Sequence, residues 1–369
     1  MEDLVTTPGF WKGKRVFLTG HTGFKGSWLA LWLADLGAEV TGYALAADTD
    51  PSLFAAARIQ ELVSHVEGDV RDAAALSQAV QAARPEVVLH LAAQSLVRPS
   101  YREPVATYAT NVMGTVHLLE AARHAESVRA VVCVTSDKCY ENNDTGRAFR
   151  ETDPMGGHDP YSSSKGAAEL VIAGYRRSFF ASPPSPRSVG VASARAGNVI
   201  GGGDWSQDRL TPDIVRALSA GRAPVIRSPQ SVRPWQHVLE PLRGYLMLAE
   251  RLHSGDQTFA QGWNFGPVAE DCAPVQALAD RLTALWGADA TWRTDSEPQP
   301  HEAAKLRLDC SKAQSELGWR PALGLGEALR LVVEWHKAFE AGADPRATTL
   351  DQIRAYRHRI ENSPREMAR

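Results

Sequence analysis

The sequence has no basic excess and no long apolar run. With 40 lysines and arginines against 43 aspartates and glutamates, the formal net charge is -3, too little positive charge to grip a nucleic-acid backbone or an anionic lipid surface. No segment approaches the roughly 20 apolar residues of a membrane-spanning helix. Residues 1–19 lack the basic start and apolar stretch of a secretion signal. A cytoplasmic protein that works on small molecules is the expectation. The four cysteines, Cys133, Cys139, Cys272 and Cys310, form no CxxC pair and accompany no histidine cluster, so neither a zinc site nor a disulfide framework is indicated and no metal is expected. Cys133 reads as a small buried apolar residue. Tandem repeats and low-complexity tracts are also absent.

What the chain does have is a regular alternation of element types. Short apolar runs at 15–19, 39–45, 62–67, 87–91, 130–135 and 189–194 read as strands. Helical spacing fills most of the gaps: 25–36 with Trp28, Leu29, Trp32, Leu33 and Leu36, then 73–82, 104–125 and 161–180. Nearly continuous apolar strands joined by helices indicate an α/β fold, a doubly wound parallel Rossmann-type sheet covered on both faces. After residue 194 the texture changes to loops rich in Gly, Pro, Arg and Trp, such as "AGNVIGGGDWSQDRL" and "RSPQSVRPWQHV", which suit a smaller C-terminal substrate-binding lobe on the sheet's carboxyl edge. The expected division is 1–194 for the dinucleotide-binding domain, rejoined by 235–260 with a helix at 240–253. The lobe takes 195–234 and 261–345, and 346–369 makes a peripheral charged helix or tail.

"RVFLTGHTGFKGSWLALWLADLG" sets Gly20, Gly23 and Gly26, with Thr22 and Phe24 among them, between the first strand and the first helix. Glycines there permit a tight turn and let backbone N–H groups approach a pyrophosphate at the positive end of the helix dipole. The spacing is GxxGxxG rather than GxGxxG. "GDV" follows the third strand and "HLAA" ends the fourth, so Asp69 and Val70 are placed for the adenosine, and Leu91, Ala92 and Ala93 for the ribose and pyrophosphate. The acid that commonly closes the second strand is missing: "TGYALAADTD" offers Ala44 or Leu45 there and Asp48 only later. No arginine follows the strand to welcome a 2′-phosphate either, which favours NAD over NADP.

"VTSDKCYE" ends the fifth strand on Ser136, Asp137 and Lys138, and "DPYSSSK" puts Tyr161 and Lys165 one turn apart on the next helix. Tyrosine is a poor base at neutral pH; a nearby ammonium is expected to lower its pKa, and the Ser136 hydroxyl to hold the substrate oxygen. Tyr161 and Lys165 also fall within reach of the cofactor. An Asp–Lys pair at a strand end is otherwise only a surface turn worth little. Asn111 reads either as a brace for the active-site backbone or as a plain buried amide.

The glycine loop, Ser136 and the Tyr–Lys pair, in that order, resemble the extended short-chain dehydrogenase/reductase family, from about residue 14 to about 336. "GHTGFKGSWL", "SDKCYEN", "RPWQHV" and "LDCSKAQSELGWRP" are similar to its sugar-nucleotide dehydratase branch, in the subgroup acting on CDP-glucose. The resemblance implies NAD in the N-terminal domain, a sugar nucleotide between the lobes, and homodimers or homotetramers. The implied reaction is oxidation at C4 with Tyr161 as base, loss of water across C5 and C6, and return of the hydride to C6, in the supply of deoxysugars for surface polysaccharide. Asp137 is then the acid for the leaving hydroxyl, and Lys138 either the C5 base or an electrostatic partner. The branch mostly carries Asp–Glu where this chain has Asp137–Lys138, a pair that matches the subgroup acting on CDP-glucose. Ser95, Asn198, Arg209, Arg233, His237 and Asn264 are implied to face the substrate, with His237 more a packing residue than a catalytic one. A dehydratase for another nucleotide hexose, a 4-epimerase and a non-enzymatic NAD sensor are the alternatives; Asp137 favours dehydration over epimerisation, and the Tyr–Lys pair disfavours a sensor.

Overall fold

In the computed structural model, which describes residues 9–181, 188–287, 290–295 and 305–362, the first apolar run forms Arg15–Thr19 (β1). Val16 and Leu18 enter one buried cluster and Phe17 another. The same two-residue period, a consequence of strand geometry, recurs along the sheet. Its further strands are Glu39–Ala44 (β2), Ser64–Glu67 (β3), Val87–His90 (β4), Ala130–Val134 (β5), Gly190–Ala196 (β6) and Gly262–Phe265 (β7). In β5, Ala130 and Val132 face one side, Val131 and Cys133 the other. All seven strands pair in parallel, in spatial order β7-β6-β5-β4-β1-β2-β3. The chain therefore runs outward in both directions from β1 and β4, and the crevice where it diverges lies at their carboxyl ends.

Helix Phe24–Asp35 (α1) is buried all along its inner length, with Trp28, Leu29, Trp32 and Leu33 at most 1% exposed. Burying each such side chain contributes about 1.5–3 kcal/mol. Ala73–Ala83 (α2), Val97–Arg102 (α3), Pro104–Tyr108 (α4), Gly114–His124 (α5) and Pro160–Tyr175 (α6) supply crossovers on the first-half strands. The helix expected at 104–125 is interrupted by a π-type turn, Ala109–Met113, and the one at 161–180 ends in another, Arg176–Phe180. Single π turns re-aim a side chain within a helix. At the first, Asn111 points inward, its amide accepting from the Gln94 N–H at 2.9 Å and donating to the Ser164 hydroxyl at 2.8 Å.

The lobe packs Leu210–Ser219 (α7), Val275–Trp286 (α9) and Leu325–Glu340 (α10) around Ile214, Leu278, Leu282, Leu329 and Val332. Between them in sequence, Leu239–His253 (α8) lies against β5 and β6. Two sequence expectations need adjustment. Residues 262–265, assigned to the lobe, form the sheet's edge strand β7, because a short Gly- and Asn-bearing run next to β6 completes the ladder. The charged C-terminal stretch is more than peripheral: Pro345–Asn362 (α11) buries Ile353 and Tyr356 against α1 and α10, and the Tyr356 hydroxyl donates to Glu240 at 2.7 Å. Residues 363–369 lie outside the described residues.

Candidate active site

Gly20 turns the chain off β1 with φ +76°, and a Cβ there would stand 2.7 Å from the Ala92 nitrogen. A Cβ on Gly26 would overlap the Gly20 carbonyl. Both glycines are thus required where the loop crosses β4 and where α1 packs onto it. Gly23 meets no such wall, and its missing side chain opens the loop to the cleft. α1 begins at Gly23 with no side-chain cap and no acid in its first turn, so its leading N–H groups face a space suited to an anion. Thr19 Oγ1 accepts from the N–H groups of Leu91 and Ala92, both at 3.1 Å, and sews β1 to the end of β4 at the switch point.

One cleft of about 760 Å³ runs from this loop to the lobe. Gly20, Thr22, Gly23, Phe24, Gly26, Asp69, Val70, Leu91, Ala92 and Ala93 line its dinucleotide end, with Leu45 and Asp48 at the close of β2. The Thr22 hydroxyl donates to the Leu45 carbonyl at 2.9 Å. The Asp69 carboxylate accepts from the Arg71 guanidinium and N–H, which hold its pKa below the ordinary value.

Ser136, Asp137, Lys138, Tyr161 and Lys165 meet in the middle of the same cleft. Asp159 caps α6, accepting from the Ser162 N–H at 2.9 Å, which sets the helix start one residue before Tyr161. The Ser136 hydroxyl donates to Asp137 Oδ1 at 3.1 Å and receives the Lys138 N–H at 3.2 Å. Burial pushes Tyr161 up to about 12, against the influence of the neighbouring Ser136 hydroxyl. The sequence expectation of a lowered pKa is therefore reversed: desolvation of the phenolate, with the Asp137 and Asp159 charges, outweighs Ser136 and Arg209. Burial also pushes Lys165 down to about 8, with Glu169 opposing, and its ammonium donates to the Val134 carbonyl at 3.4 Å.

Asp137 is 2% exposed, and its Oδ2 has no hydrogen-bond partner among the described residues. Burial raises its pKa, against Lys138, the Ser136 bond, Arg233 and Lys25. A Cβ at residue 197 would overlap that same Oδ2, so Gly197 makes room for the carboxyl group. Behind the strand end lies a second acid. Glu169 accepts from the Thr135 and Ser193 hydroxyls, at 2.5 and 2.7 Å, and from Arg195 Nη2 at 2.7 Å.

Of the substrate candidates, Ser95, Asn198, Arg209 and Arg233 line the cleft. Arg209 donates to Ser95 Oγ at 2.7 Å and to Asp204 at 3.2 Å. His237 and Asn264 do not. His237 is fully buried edge-on to Trp28, since the pairing of residues 236–237 with 199–200 turns it under α1, and burial pushes its pKa down to about 3. Asn264 sits on β7, accepting from the Tyr140 hydroxyl at 2.7 Å and donating to the Phe149 and Asp309 carbonyls; its amide ties loops together. Two residues escaped the sequence reading. Gly197 gave no signal beyond its place after β6. Lys25 did: it is a lone charge in "GFKGSWL", it lines the cleft, and burial together with Arg209 and Lys165 pushes its ammonium down to about 7, against Asp137 and Asp204.

A glycine-turned phosphate loop at the switch point, with a serine and a Tyr–Lys pair at the mouth of the same sheet, defines a nucleotide-cofactor enzyme of the short-chain dehydrogenase/reductase class. Comparison with known proteins narrows this. Residues 17–332 match the model of the family described as GDP-mannose 4,6 dehydratase, and the chain belongs to that family. It is 54% identical to the CDP-glucose 4,6-dehydratase of Salmonella typhimurium over 94% of this chain and 97% of that one. Identity to the dTDP-glucose 4,6-dehydratase of Streptomyces griseus is 29%, over 89% and 96%. Among solved structures, a dTDP-glucose 4,6-dehydratase of Streptomyces venezuelae with NAD and TYD bound superposes with a TM-score of 0.74 at 26% identity, covering 90% of this chain and 99% of that one. A UDP-glucose 4-epimerase of Thermotoga maritima shares the fold, with a TM-score of 0.73 at 23% identity over 88% and 99%.

Proposed function

We propose that the protein is an NAD-dependent lyase that converts CDP-glucose to CDP-4-dehydro-6-deoxy-glucose, a deoxysugar precursor. The observation that carries the reading is Asp137: a buried carboxyl group with a raised pKa and one oxygen without a hydrogen-bond partner among the described residues, beside Ser136, in the cleft that holds Tyr161 and Lys165. An epimerase needs the serine, tyrosine and lysine but expels no hydroxyl, so it has no use for such an acid. The 54% identity over nearly the full length supports the choice of CDP-glucose.

The glycine loop and the uncapped start of α1 fit a dinucleotide pyrophosphate, and NAD bound there supplies reversible two-electron oxidation of the hexose at C4. The chain's own residues manage the protons. Ser136 and Tyr161 hold the C4 hydroxyl; Tyr161 takes its proton as the phenolate, a form that burial disfavours, a cost that the positive charge of Lys165 offsets. Asp137, whose pKa burial raises, gives its proton to the departing C6 hydroxyl, while Lys138 takes the C5 proton that the C4 ketone acidifies and gives it back to C5 as the hydride returns to C6. Arg209 and Arg233 suit the diphosphate because a guanidinium donates two parallel hydrogen bonds.

A homo-oligomer is supported by the apolar surface of α4 to α6, where Val105 is 81% and Leu170 66% exposed, with Tyr108 and Met113 alongside. The four unpaired cysteines fit a reducing, cytoplasmic compartment. Incubation with NAD and, in parallel, the CDP, dTDP, GDP and UDP forms of glucose, read by mass spectrometry, tests the reading: loss of one water from CDP-glucose is expected, and an unchanged mass with all four contradicts it.

A further inference from the structure

Past the reaction centre the cleft continues into the lobe, where it holds charges that dehydration does not use. Arg227 directly follows the short strand Val225–Ile226, and its Nη2 lies 3.4 Å from Asp208 Oδ1 and 3.4 Å from Asp213 Oδ2. Asp213, in the first turn of α7, also accepts from Arg216 at 2.7 Å. Arg227 and Asp213 both line the cleft, with Leu210, Val225 and Val275 as apolar walls.

A sugar nucleotide is linear, running from hexose to diphosphate, ribose and base. With the hexose beside Tyr161 and the diphosphate against Arg209 and Arg233, the base comes to lie at the lobe end, between those apolar walls. We propose that the Asp213–Arg227 pair reads this base and selects cytosine, a proposal that rests on the substrate being a CDP-hexose. Cytosine presents along one edge an amino donor followed by two acceptors, N3 and O2. A carboxylate beside a guanidinium offers the complement, an acceptor followed by donors. Uracil or thymine would set its O4 against the carboxylate and its N3–H against the guanidinium, two mismatches at once. Sites built to pair a polar edge reject analogues chiefly by leaving such groups unpaired. The two carboxylates on Arg227 also fix the guanidinium in advance, so little side-chain freedom is lost on binding.

The test is calorimetric titration of the NAD-loaded enzyme with CDP and with UDP, together with kcat/KM for CDP-glucose and UDP-glucose, in wild type, Asp213→Asn and Arg227→Gln. Wild type is expected to favour the cytidine ligand by at least about 100-fold. In each variant that ratio is expected to shrink by about 10-fold or more, mainly through Kd and KM, with kcat little changed. A ratio unmoved in either folded variant, or an equal loss for both nucleotides, overturns the proposal. Failure of the functional reading looks different, because the wild-type enzyme would then turn over no CDP-glucose at all.

Discussion

Two carboxyl groups stand on opposite sides of the end of β5, and the protein treats them oppositely. Behind the strand, burial alone would raise the pKa of Glu169, but the charge and hydrogen bonds of Arg195, with the Thr135 and Ser193 hydroxyls, hold it below its ordinary value. In front, Asp137 is as deeply buried, yet Ser136 donates to one of its oxygens and the other has no hydrogen-bond partner among the described residues; its pKa rises. Burial is common to both, so the supply of donors decides. A carboxylate saturated with donors cannot give up a proton it does not carry, whereas one left short is a poised acid. The neighbouring groups follow the same division: Glu169 braces Thr135 and Arg195, and Asp137 faces the substrate cleft.

The largest effect expected from breaking this contrast is at Asp137. Asp137→Asn should lower the rate of water loss by on the order of 10²–10⁴, with reduction of NAD still visible as nicotinamide absorbance when CDP-glucose is added; normal turnover would refute the assignment. Gly197→Ala should cost almost as much activity, since its methyl group would displace the same carboxyl oxygen, and a fully active variant would show that Asp137 has room it does not use. Glu169→Ala should strand the buried Arg195 charge and cost about 3–5 kcal/mol in urea denaturation. A loss below about 1 kcal/mol would make the two acids alike.

A subtler effect links the two sides through Lys165. Its pKa of about 8 is supported by Glu169, so kcat/KM is expected to fall as pH rises through about 8, and Glu169→Gln should move that alkaline limb to lower pH. A limb that stays in place would separate the two residues. The smallest effect expected concerns Glu240, a third buried acid, raised to about 7 by burial against bonds from Tyr356, Ala322 and Leu323. A folded pKa above the unfolded one means that its contribution to stability is present below about pH 4.5 and lost as pH rises through about 7. Glu240→Gln should therefore flatten the pH dependence of Tm between those values, and an unchanged slope would assign it to other groups.

Sheet and phosphate loop were legible because both obey local rules. Near-continuous apolar runs mark β1, β4 and β5, and glycines at 20, 23 and 26 announce a loop by their placement between the first strand and the first helix. The edge strand β7 was not, since "GWNF" is only four residues long and owes its conformation to β6 and to loops around Asn264. His237 and Asn264 are implied to face the substrate by the family resemblance alone, and the fold turns both inward, His237 edge-on to Trp28 and Asn264 among the loops it ties. The rise in the Tyr161 pKa was invisible for a related reason. Sequence shows which charge is near a group, and desolvation appears only once the walls are in place.

The central claim, that one hexose loses water while its C4 hydride is held and returned one sugar edge away, is tested most directly with CDP-glucose carrying deuterium at C4. The account predicts a product lighter by one water with the deuterium on the new C6 methyl group; deuterium lost to solvent, or retained at C4, would contradict it.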